Sequence, residues 1–316
     1  MILNKKNFLS FAILIATSPS QENLCMLPTQ SSILSQNTKH ARHLFFSLLP
    51  DCDIRAALTS LNQIIDTDNT VVGLGESLLN NTNAQISGIK TMPAQTCKNI
   101  SIPSTPYALW CCLIDTDRGA LFHLSNKIEH LLASDFILED AVDCFQYDEN
   151  RDLSGYIDGT ENPEGDEAVQ AGIVQDDSIL NGSSYVAIQQ WLHDFDQLDN
   201  MSQKEKDDTI GRHQSDNEEF DEAPESAHVK RSAQESFTPE AFILRRSMPW
   251  SEGMHAGLMF ISYGHSFDAF EAILNRMIGK DDGIVDSLFK FTKPISGSYF
   301  WCPPAKDGKL DLSFLE

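Results

Sequence analysis

Three stretches of the chain carry side chains suited to proton transfer, metal ligation or anion binding. The first is Gly155-Tyr156-Ile157-Asp158-Gly159-Thr160-Glu161-Asn162-Pro163. Two glycines bracket one aspartate, and glycine permits tight turns and close approach of backbone to a ligand. Such a loop would hold Asp158 at the rim of a cavity. By spacing alone, Asp-Gly and Asn-Pro are ordinary turn dipeptides and the stretch reads as a surface turn. The second stretch, Pro224 to Arg231, contains His228. An imidazole in a polar loop is usually solvated, and it is also a ready ligand for iron. Spacing does not separate the two. The third stretch, Phe242 to Trp250, places Arg245 and Arg246 side by side. On a strand they point to opposite faces. An inward arginine needs an anionic partner; on an edge strand both would be solvated.

The elements that must position these groups follow from periodicity. In the first half, 43–49 reads as a strand and 54–65 as a helix capped by Asp51 or Asp53. Residues 70–74 read as a strand, 80–106 as a loop, 107–114 as a buried strand, 121–132 as a helix and 136–145 as a strand. The order is β-α-β-β-α-β. The second half repeats it. Strands are expected at 184–192, 242–248, 258–263 and 299–301, and helices at 202–210 and 267–278. Residues 211–237 are acidic and irregular. The expected fold is α+β: two ferredoxin-like units with antiparallel sheets packed together. We divide the chain into an N-terminal extension (1–27), an N-terminal unit (28–155) and a C-terminal unit (156–316).

The net charge of −23 disfavours nucleic acid and anionic membrane surfaces, which need Lys and Arg partners. The seven cysteines are odd in number, with no C-x-x-C pair, which argues for a reducing compartment. Lys5 and Lys6 ahead of the apolar run Phe8 to Ala16 imitate a short signal peptide. Pro19 is unfavourable for cleavage after Ser18, and Met26 is an alternative start. A cytoplasmic product is expected, with export as the alternative. Asp148, Asn150 and Asp152 imitate the opening of a calcium loop. Leu153 and Gly159 occupy the positions that need Gly and Glu, so the match fails. Gly73-Leu74-Gly75 lacks the third glycine of a dinucleotide fingerprint.

Taken together, the three stretches resemble the dye-decolourising peroxidase family, in its bacterial branch with cytoplasmic members. The likeness runs over roughly residues 28–316. It is densest at Arg151 to Pro163, Gly182 to Tyr185, Ile210 to Arg212, Glu225 to His228, Leu244 to Pro249 and Phe291 to Pro294. The resemblance implies two ferredoxin-like units with a b-type haem in the C-terminal one. It implies reduction of hydrogen peroxide through a ferryl intermediate, and oxidation of organic donors such as dyes, phenols or porphyrinogens. It makes Asp158 the distal acid–base, Arg245 the distal cation and His228 the proximal iron ligand. Gly159, Thr160 and Ser247 are expected to contact the cofactor; Ser247 falls where some relatives carry Asn. Asp286 is the candidate partner of His228. The family often forms homo-oligomers, dimers or larger. A haem-handling role (porphyrinogen oxidation or iron release) and a non-catalytic haem binder are the alternatives.

Overall fold

The computed structural model describes residues 27–36 and 39–315. The signal-like stretch and its cleavage site lie outside the described residues.

In chain order the elements are α1 (Ser31–Leu34), β1 (His40–Leu48), α2 (Ile54–Ile64), β2 (Thr70–Leu74), α3 (Glu76–Leu79), β3 (Gln95–Cys97), β4 (Ile100–Ile102), β5 (Leu109–Asp115), α4 (Arg118–Leu132) and β6 (Phe136–Phe145). Then follow α5 (Gly165–Gly172), β7 (Ser184–His193), α6 (Phe195–Asn200), α7 (Gln203–Ile210), α8 (His228–Arg231), β8 (Leu244–Arg245), β9 (Met248–Glu252), β10 (His255–Gly264), α9 (Asp268–Met277), β11 (Thr292–Pro294) and β12 (Ser298–Cys302). A last small hairpin closes the chain, β13 (Ala305–Lys306) with β14 (Lys309–Leu310).

Local chemistry sets these boundaries. Asp53 accepts a hydrogen bond from Ala56 N–H and starts α2, whose buried face is Ile54, Ala57, Leu58 and Leu61. That spacing is one helical stripe. Ser202 and Glu205 form a reciprocal capping box at α7, and Gly211, at φ 94°, ends it. The expected loop 80–106 carries a small hairpin, β3 with β4.

All strand pairs are antiparallel. The first half orders its strands β6-β1-β5-β2 and the second β12-β7-β10-β9. The halves do not stack as two separate sheets, as the sequence suggested. They join edge to edge, through Cys144 opposite Trp250 on one side and Leu74 opposite Trp301 on the other. The result is a closed ring of eight strands. Closure satisfies the edge groups that open sheets leave bare. Side chains fill the interior: Phe45, Trp110, Val186, Ile188, Met248, Ile261, Tyr263 and Phe300 are all buried there. The outer faces carry α2, α4 and α9, packed through Leu58, Leu61, Ile128, Phe270 and Leu274.

The strand that bears both arginines runs in one register across Arg246 and Ser247, from Arg245 opposite Ser262 to Met248 opposite Met259. Alternation therefore sends Arg245 outward and Arg246 into the ring. Arg246 donates to the carbonyls of Arg245 and Leu34, each at 2.9 Å.

Candidate functional site

A cavity of about 330 Å³ lies against the outer face of the C-terminal half. Its sheet wall is Gln189, Trp191 and His193 of β7 with Leu258 and Phe260 of β10. The register explains the grouping, since Gln189 stands opposite Phe260 and Trp191 opposite Leu258. The facing wall is the apolar stripe of α9, Phe270, Ile273, Leu274 and Met277. Residues 156–161 and the start of α8, His228 and Val229, also line it. The volume is within the range of small-molecule and cofactor pockets, and the lining has their usual character, mostly apolar with a few convergent polar groups.

His228 opens the short helix α8, and its side chain is 23% exposed toward the cavity. Its Nδ1 lies 2.8 Å from Oδ2 of Asp286, whose side chain is fully buried. The other Asp286 oxygen accepts from Leu288 N–H at 2.8 Å. A carboxylate at Nδ1 fixes the tautomer with hydrogen there, so Nε2 keeps its lone pair for a ligand bond.

Asp158 lines the same cavity from the glycine-bracketed loop. Gly155 and Gly159 take φ of 90° and 86°, the left-handed region that favours glycine. The Asp158 N–H donates to Asn150 O at 2.9 Å. Its carboxylate sits 3.4 Å from Nη1 of Arg245, both side chains partly exposed. Asn162 ties the two together. Its Nδ2 donates to Arg245 O at 3.0 Å, and its Oδ1 accepts from Arg245 N–H at 2.8 Å. The loop and the arginine strand are thus locked by one side-chain amide.

Of the residues singled out in the sequence, Asp158, Gly159, Thr160, His228 and Arg245 all line this cavity. Ser247 does not. It lines an adjoining polar pocket of about 150 Å³ that also touches Asp158 and Arg245, and its Oγ accepts from Ile261 N–H at 3.3 Å. That bond ties the hydroxyl to the backbone of β10. Asn162 was quoted within the motif but given no role. Also unforeseen is a buried pair inside the cavity wall. His193 Nε2 lies 2.9 Å from Asp152, and Nδ1 lies 2.7 Å from Thr292 Oγ1. Burial raises the Asp152 pKa, but the hydrogen bonds from His193 and Ser154 outweigh it and hold the carboxyl below its usual range. The sequential His193-Asp194 gave no hint, because the partner is 41 residues away.

The residues fit an iron porphyrin. One imidazole has its inner nitrogen tied to Asp286, a carboxylate and a guanidinium line the same cavity, and most of the remaining lining is apolar. The buried Nε of Arg245 has no hydrogen-bond partner among the described residues. That leaves donor capacity for an anionic group such as a propionate or a bound peroxide. An imidazole, a carboxylate and a guanidinium lining one largely apolar cavity are the kinds of group a haem peroxidase site would use.

Comparison with known proteins agrees. Residues 149–307 match the family model described as Dyp-type peroxidase, C-terminal. A dye-decolorizing peroxidase of Mycolicibacterium paratuberculosis is 32% identical over 241 residues, 68% of this chain and 68% of that protein. One from Rhodococcus erythropolis is 33% identical over 210 residues, 64% of this chain and 62% of that protein. A dye-decolorizing protein from V. cholerae superposes with a TM-score of 0.79 at 26% identity, covering 86% of this chain and 96% of the other. A DypB variant from Rhodococcus jostii RHA1, solved in complex with heme, gives 0.79 at 25% identity, covering 86% and 95%. The chain belongs to the dye-decolourising peroxidase family, a family of haem-dependent oxidoreductases.

Proposed function

We propose that this chain binds one b-type haem in the cavity, where His228 would ligate the iron and Asp158 and Arg245 would act on the peroxide. It reduces hydrogen peroxide to water and oxidises organic donors such as dyes, phenols or porphyrinogens. The observation that carries the reading is that these three side chains, from separate parts of the chain, line one cavity.

When bound, the haem supplies an iron centre that accepts peroxide oxygen and stores two oxidising equivalents. The chain's own residues do the rest. Asp158 would take one proton from the peroxide and deliver it to the oxygen that departs as water. Arg245, held by Asn162, stabilises the negative charge that develops as the O–O bond breaks. Asp286 strengthens the basicity of His228 through its Nδ1 hydrogen bond. The stripe of α9 excludes water from the apolar part of the cavity.

The strand orders β6-β1-β5-β2 and β12-β7-β10-β9 support two ferredoxin-like units, divided near residue 155. We place the product in the cytoplasm and expect a homo-oligomer. Among the described residues no helix is long and apolar enough to cross a membrane.

The test is an absorption spectrum of protein loaded with haemin, before and after peroxide. We expect a Soret band lost in His228→Ala, and a slowed peroxide reaction in Asp158→Ala and Arg245→Ala. Equal behaviour of all three variants and the unaltered chain removes the assignment. Release of iron-free porphyrin in proportion to haem consumed points instead to haem handling.

A further inference from the structure

Tyr156 stands two residues before Asp158 and lines the same cavity, with only 5% of its surface exposed. Its hydroxyl is committed elsewhere. It donates to Asp207 Oδ1 at 2.5 Å, the length expected for an O–H bonded to a charged carboxylate. Asp207 belongs to α7 and is not among the cavity-lining residues. Gln203 Nε2 donates to the same Asp207 oxygen at 2.8 Å and to the Tyr156 hydroxyl at 3.3 Å. Gln214 N–H donates to that oxygen at 3.2 Å, and His213 Nδ1 lies 3.4 Å from the other.

The two groups are poised in complementary states. Burial, then the hydrogen bond and charge of Asp207, push the Tyr156 phenol well above its ordinary value. Partial burial raises Asp207, but the hydrogen bonds from Tyr156, Gln203 and Gln214 outweigh it and leave the carboxyl below the usual range. At neutral pH the pair is a phenol facing a carboxylate. A phenol that loses an electron becomes a strong acid. In a buried site the resulting cation is costly unless a base takes the proton at once. Asp207 is that base, already hydrogen-bonded. It also leads outward. Its side chain is 15% exposed, and its neighbour His213, 48% exposed, stacks on Phe220 with ring centroids 4.8 Å apart.

We propose that Tyr156 is a one-electron relay between the cavity and the α7 face, with Asp207 as its proton acceptor. This rests on the haem peroxidase reading above, which supplies the oxidant. Tyr156 gives one electron to an oxidising equivalent left in the cavity by peroxide reduction, and its O–H bond breaks as the proton passes to Asp207 Oδ1. A neutral phenoxyl radical remains. A phenol or aromatic amine too bulky for the cavity then returns one electron at the α7 face, and Asp207 returns the proton. The donor's own proton leaves to solvent.

The experiment uses the haem-loaded protein, mixed with hydrogen peroxide without donor and freeze-quenched for electron paramagnetic resonance. A tyrosyl signal is expected in the unaltered chain and its loss in Tyr156→Phe, which removes only the hydroxyl. Asp207→Asn keeps the phenol and the shape but removes the base, and the signal is expected to fall as well. In both variants the Soret band persists, while oxidation of a bulky phenolic dye slows by about a hundredfold or more, the low end of what a positioned proton acceptor contributes. A tyrosyl signal and dye rate unchanged in Tyr156→Phe overturn the relay. So does an Asp207→Asn protein that behaves like the unaltered chain, which would reduce the pair to packing. A chain that shows no Soret band at all fails the underlying haem reading instead, and the two failures are distinguished by that band.

Discussion

Replacing Asp286 with asparagine keeps the volume beneath His228 and removes the charge. In the structure one Asp286 oxygen accepts from His228 Nδ1 at 2.8 Å and the other from Leu288 N–H at 2.8 Å. An asparagine has one acceptor oxygen for these two donors. If Leu288 keeps it, the amide N–H₂ faces Nδ1, which must then become an acceptor. The imidazole proton moves to Nε2, the nitrogen that would hold iron. A hydrogen bond to a charged group contributes about 1.5–3 kcal/mol. At about 1.4 kcal/mol per decade that is roughly 10- to 100-fold in affinity. Partners of metal-ligating histidines cost about 10–100-fold when lost, which agrees. The assay is a haemin titration followed at the Soret band, with thermal melting of the haem-free variant as a control for folding. Asp286→Asn protein that folds and binds haemin as tightly as the unaltered chain would show that this carboxylate does not support the ligand.

Asn162→Ala removes both hydrogen bonds to the Arg245 backbone. At about 1 kcal/mol each, roughly 2 kcal/mol of stability is lost by denaturant melting. Peroxide kcat/KM is expected to fall with haemin affinity little changed. His43, buried within the ring with its pKa lowered to about 4 by burial, gives an acid-sensitive term. Between the unfolded value of about 6.5 and about 4, the unfolded chain takes up a proton that the folded chain refuses. Stability therefore falls as pH drops through this window, by up to about 3 kcal/mol at about 1.36 kcal/mol per unit. His43→Gln should flatten that slope in urea melts between about pH 4.5 and 7. The exposed acidic run Asp216, Glu218, Glu219, Asp221 and Glu222 borders the cavity through Glu219. Cationic donors should have lower KM than anionic ones of the same size, and rising salt should narrow the gap. An equal salt response for both would contradict this.

Much of the site was legible as residue types and little of it as geometry. The turn reading of 155–163 was locally sound, since both glycines take positive φ, and the same turn presents Asp158. Strand alternation placed Arg245 and Arg246 on opposite faces, and the ladder bears that out. The helix expected at 202–210 matches α7, and the structure shows that the reciprocal cap of Ser202 and Glu205 sets its start. The short helices α5, α6 and α8 were not foreseen, because so few turns leave no usable periodicity. Asn162 and the His193–Asp152 pair depend on contacts 83 and 41 residues apart. Ring closure was hidden for a related reason: single residue pairs at sheet edges carry no pattern.

Those two edges have a mechanical meaning. Each is clasped by one backbone pairing, so the halves are kept together mainly by what they share inside. Trp110 from the N-terminal half stacks on Phe300 from the other, with centroids 5.9 Å apart. The strand carrying Arg245 leans on that filling through Leu244 and Met248. Trimming an indole far from the cavity would slacken the wall from which the guanidinium projects. Half the chain thus acts as a brace for chemistry in which it has no part.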